Sequence, residues 1–97
     1  MEINYWGKIM IYKIKAINTH NNDVFEFELK RVGPDDFAYY DEALGEDVHP
    51  NEIADNIIRE ICNSLMMVGS PLRYIKPGET MEHNTHVTFD ITVTCEE

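Results

Sequence analysis

Positive charge is what this chain has least of: 8 Lys and Arg stand against 18 Asp and Glu, for a net charge of −10 at pH 7. Nucleic-acid binders concentrate Lys and Arg to displace counterions from phosphates, so neither DNA nor RNA is expected as a direct ligand. The same deficit makes anionic membrane surfaces repulsive. Long apolar runs are missing too, none reaching the roughly 18 to 20 residues of a spanning helix, so no membrane role is expected. Cysteine is scarce. Cys62 and Cys95 are too few and too far apart for a disulfide framework, and reduced thiols in an intracellular, cytoplasmic protein are expected, with a bridge between the two left open. No secretory pattern opens the sequence, because Lys13 and Lys15 interrupt the apolar stretch around Ile9 to Ile17 and no small-residue cleavage site follows it. No phosphate loop or oxyanion-site motif occurs, so the chain is expected not to be an enzyme and to use no cofactor.

What is present is a block of one sign. Between Arg31 and Arg59 there is no Lys or Arg, while Asp35, Asp36, Asp41, Glu42, Glu46, Asp47, Glu52 and Asp55 all fall there. Uncompensated carboxylates repel one another and create a field that attracts basic partners. Phe37, Tyr39 and Tyr40 are interleaved with them, which separates the block from an aromatic-poor solvated tail. The simpler reading is that the excess acid serves solubility.

At 97 residues, 43% of them hydrophobic, the chain is expected to form one domain over 1–97 with a modest core. Residues 1–9 read as a weakly ordered N-terminal extension, with a further strand conceivable at Ile3 to Tyr5 and Met10 as an alternative start. Met10, Tyr12, Ile14 and Ala16 then alternate with Lys13 and Lys15, and Phe25, Phe27 and Leu29 with Glu26, Glu28 and Lys30, predicting two strands around a polar reversal at 18–23. Opposed Lys and Glu on the wet face are expected to pair across these strands. Gly33 and Pro34 end the second strand, and residues 35–48 show neither period, so they read as a loop with at most a helical turn. Pro50 at a first helical position, after His49 as cap, and the spacing of Ala54, Ile57, Ile58, Ile61, Leu65 and Val68 predict a helix over about 50–68, closed by Gly69 and Pro71. Residues 72–76 read as a short strand, 79–85 as a polar connection, and 87–95, with Val87, Phe89, Ile91, Val93 and Cys95 in strict alternation, as the clearest strand. The expected fold is therefore α+β: one amphipathic helix on an antiparallel sheet of three to five strands, in the order β-β-α-β-β.

The side chains expected to meet a partner are Asp35, Asp36, Tyr39, Tyr40, Asp41, Glu42, Glu46, Asp47, Glu52 and Asp55. Phe37 is expected to fold back onto the domain, and of Tyr39 and Tyr40 one is expected inside and one outside. Trp6 reads as an edge residue. His83 and His86 beside Glu82 suggest a metal only by spacing, so no metal is expected; Cys62 reads as an inert thiol near the core. The strand 87–95 is expected to leave an open edge through which a homodimer could form. In size and charge, though in no motif, the chain resembles the small acidic proteins with which viruses and mobile elements block host nucleic-acid-binding proteins. That likeness implies a non-enzymatic inhibitor occupying the basic site of such a protein by mimicking nucleic acid. The alternative is a small assembly module that self-associates through sheet edge and helix.

Overall fold

The computed structural model describes residues 9–33, 36–67, 70–84 and 88–96. The expectations for residues 1–8 with Trp6, and for Pro34, Asp35, Val68, Gly69, His86 and Val87, lie outside the described residues.

Alternation does what it predicts in three places. Strands β1 (Met10–Asn18), β2 (Val24–Gly33) and, at the far end of the chain, β6 (Phe89–Cys95) turn every second side chain toward one face, with Phe25 and Phe27 of β2 only half-buried there. β1 and β2 form a hairpin in which Ile14 faces Phe27 and Tyr12 faces Leu29. Its turn is tied by Asn18 and Asp23, whose backbone N–H and C=O bond at 2.8 Å, with Asn22 at φ 65. Asn tolerates that left-handed backbone because its short polar side chain can bond locally.

The expected β-β-α-β-β order is overturned by the segments read as irregular. Residues 35–48 supply a second hairpin, β3 (Asp36–Asp41) and β4 (Glu46–Val48), paired from Asp41 opposite Glu46 to Tyr39 opposite Val48. Its turn closes on Asp41, whose carbonyl accepts from the Gly45 N–H at 2.8 Å, and Gly45 supplies the positive φ of 70 that this turn requires. The polar connection is a strand as well: β5 (Thr80–Asn84) pairs with β6. The result is a six-stranded antiparallel sheet in the order β4-β3-β2-β1-β6-β5. β6 is thus interior, and the open edge expected along 87–95 belongs instead to the short strands β4 and β5.

The helix is half the expected length. Pro50 begins a separate 3₁₀ turn (Pro50–Glu52), Ile53 is extended, and α1 runs only over Asn56–Leu65. Asp55 accounts for the late start: its carboxylate accepts from the Ile57 and Ile58 N–H groups at 2.9 and 3.4 Å, whereas His49 makes no capping bond. A carboxylate satisfies the free N–H groups of a first turn and favours its positive end, which an imidazole does poorly. Residues 72–76, read as a strand, instead begin within a single helical turn, α2 (Pro71–Tyr74).

One face of the sheet carries the core. Tyr12, Leu29, Phe89, Ile91 and Val93 pack in one cluster with Ile61, Cys62 and Leu65 of α1 and Leu72 of α2. Arg31 is buried on this face, 7% exposed, and donates to the Leu72 carbonyl at 2.7 Å while lying over the Phe37 ring, which fastens α2 to the sheet. No helix among the described residues is long and apolar enough to cross a membrane.

Candidate functional site

β2 is ten residues long and β3 six. β1 accompanies β2 from Val24 to Arg31, but the pairing with β3 starts only at Leu29 opposite Tyr39. Beyond the end of β3 the sheet therefore narrows, and a notch of about 530 Å³ opens between β2, the β3–β4 turn and the start of α1.

Phe27, Tyr39 and Ile58 form its apolar side, with the Phe27 and Tyr39 rings edge to face at a centroid distance of 6.4 Å. Around them stand Glu26, Glu28, Asp41, Glu42 and Asp55, and no Lys or Arg is among the lining residues. None of these carboxylates has a salt-bridge partner among the described residues. Lys13 and Lys15 face Glu28 and Glu26 in register, as expected of the hairpin, but the Lys13 ammonium reaches Glu96 instead, at 3.1 Å.

Tyr39 is the most constrained member. It is 8% exposed, and its hydroxyl has no hydrogen-bond partner among the described residues. Burial, and then the charges of Asp41, Cys62 and Asp55, push its phenol above the ordinary tyrosine value, so it remains a neutral donor beside carboxylates. Tyr40, the outward neighbour at 44% exposure, lies against the Lys30 ammonium on the sheet's other face. The expected division of the tyrosine pair, one inside and one outside, is what the strand produces, and Phe37 is buried.

The acidic block is not one surface. Tyr39, Tyr40, Asp41, Glu42 and Asp55 meet at the notch. Asp47 is held by Lys30 at 2.9 Å. Asp36 lies at the opposite end of β3, 3.5 Å from His49, whose Nδ1 is also 3.0 Å from the Phe37 carbonyl. Glu46 is exposed on β4 and Glu52 on the 3₁₀ turn. Asp35 lies outside the described residues. Two members also have structural duties, since Asp55 caps α1 and Asp41 accepts from the Ala43 N–H at 2.9 Å. Sequence reading missed Glu26, Phe27, Glu28 and Ile58, because they belong to elements whose alternation explained them as strand and helix. The available signal was that β2 is longer than the segment able to pair with it.

The other candidate chemistries find different uses. His83 Nε2 is hydrogen-bonded to Ser64 Oγ at 3.1 Å, joining β5 to α1. Among the described residues no three His, Cys, Asp or Glu side chains gather as a metal site. Both thiols are free and buried, and burial pushes that of Cys62 up to about 12, which keeps it protonated at neutral pH and a poor nucleophile. No protein-family model matches the chain, and neither curated proteins nor solved structures give a significant match.

Proposed function

We propose that the chain is a non-enzymatic binding protein that receives a positively charged segment of a partner protein at the notch beyond β3. The observation that carries this reading is the lining: five carboxylates around buried aromatic surface, with no basic side chain among them. Carboxylates left unpaired beside low-dielectric walls focus a field that both attracts and orients Lys and Arg. The intracellular setting expected from the sequence is kept within this proposal, supported by two free thiols.

The partner that suits this reading is a protein with a basic nucleic-acid-binding site, occluded as a viral or mobile-element inhibitor would occlude it. Because Asp47 is held by Lys30 and Asp36 lies beside His49, both away from the notch, occlusion is concentrated at the notch and is not spread along a row of phosphate-like charges. The test is retention of proteins from a lysate on the immobilised chain at low salt, compared with the variant Glu26→Gln/Glu28→Gln/Asp41→Asn/Glu42→Gln. Nucleic-acid-binding proteins that are retained, displaced by added nucleic acid, and lost with the variant are the expected result. Retention unchanged in the variant overturns the proposal.

A further inference from the structure

Resting on that reading, we infer that the notch is a slot for a strand: an extended, basic peptide of the partner pairs with the free edge of β2 at residues 24–27 and continues the sheet where β3 stops. Three features of the slot lead to this mode.

The first is backbone. Residues 24–27 are bonded to β1 on one side, and among the described residues no strand pairs with their other side. An unpaired edge presents a row of N–H and C=O groups ready for a further strand. The second is shape. The lining alternates between the two faces of the sheet, with Phe27 and Tyr39 from the core face and Glu28 and Tyr40 from the other. A cavity bordered by both faces at once is the place of a missing strand, and four residues at about 3.4 Å each give an edge of about 14 Å. The third is chemistry. Added side chains would alternate as well: those on the core side meet Asp41, Asp55 and the Tyr39 ring, and those on the other side meet Glu26 and Glu28. Lys or Arg suits both sets, the stem lying on Phe27 and the charged head at the carboxylates. Main-chain bonds supply affinity in such additions and alternate side chains supply selectivity.

The experiment uses the full chain and two probes, a blocked octapeptide of alternating arginine and valine and the same peptide with every backbone amide N-methylated. Charge and side chains are equal in the two, and only the first can donate to an edge. The expected result is binding of the first peptide, binding of the second weaker by about tenfold or more, and slowed hydrogen exchange at residues 24–27 with the first alone. Equal binding of both peptides, lost in the Glu26→Gln/Glu28→Gln/Asp41→Asn/Glu42→Gln variant, overturns strand addition and leaves the proposed binding activity standing. If neither peptide binds, both readings fall.

Discussion

The middle of the sheet and the β3–β4 hairpin are built from the same kinds of residue to opposite ends. In β1, β2 and β6 each strand gives one face to the core, and on the other face Lys13 and Lys15 stand opposite Glu28 and Glu26 in register without forming ion pairs with them. In the hairpin the core-facing row runs Phe37, Tyr39, Asp41, so that an apolar row ends in a carboxylate at the sheet's own boundary. The middle contributes most of the buried core. The hairpin contributes less burial, and because it stops short it leaves its own charge and the β2 edge at residues 24–27 available, which is where recognition by a partner has something to gain.

If that division holds, substitutions should separate by region. Phe89→Ala, in the middle, is expected to cost about 3–5 kcal/mol by loss of buried surface and the cavity left behind. Leu44→Ala at the hairpin turn, where the side chain is exposed, should stay within about 0.5 kcal/mol. Urea unfolding midpoints measure both, and comparable losses would erase the distinction. Arg31→Met removes the buried donor to the Leu72 carbonyl and should cost about 1–3 kcal/mol in the same assay, since an acceptor is left unsatisfied. Asp55→Ala tests whether a carboxylate at the notch is also structural: loss of the α1 cap should cost about 1 kcal/mol, with Asp55→Asn recovering most of it. The smallest effect belongs to Lys30→Gln, which frees Asp47 on a partly exposed ion pair and should change stability by about 0–1 kcal/mol, less as salt is raised.

The strands whose two faces differ sharply were readable from sequence. β1, β2 and β6, the 18–23 reversal and the core position of Cys62 follow from a period of two or from local turn chemistry. β3 was not, because Phe37, Ala38 and Tyr39 are all buried: Ala38 is covered although it stands on the face of exposed Tyr40, so alternation disappears. β5 was missed because Thr80, Met81, Glu82 and Asn84 are exposed and a polar edge strand has little pattern to show. The helix was overextended because Ala54 and Ile57 fit its apolar spacing, while Asp55, the residue that starts it, was read as one of the partner-facing acids. The acidic block was recognised as composition. Its division into paired, capping and unpaired carboxylates depends on contacts with Lys30, His49 and α1, which spacing does not encode.

The most direct test of where recognition lies is a titration of the labelled chain with the arginine–valine octapeptide, followed by amide chemical shifts. Shifts are expected to concentrate at residues 24–28, 39–43 and 55–58 and to fade as salt is raised. Shifts centred on Lys13 and Lys15, or spread evenly over all carboxylates, would contradict it.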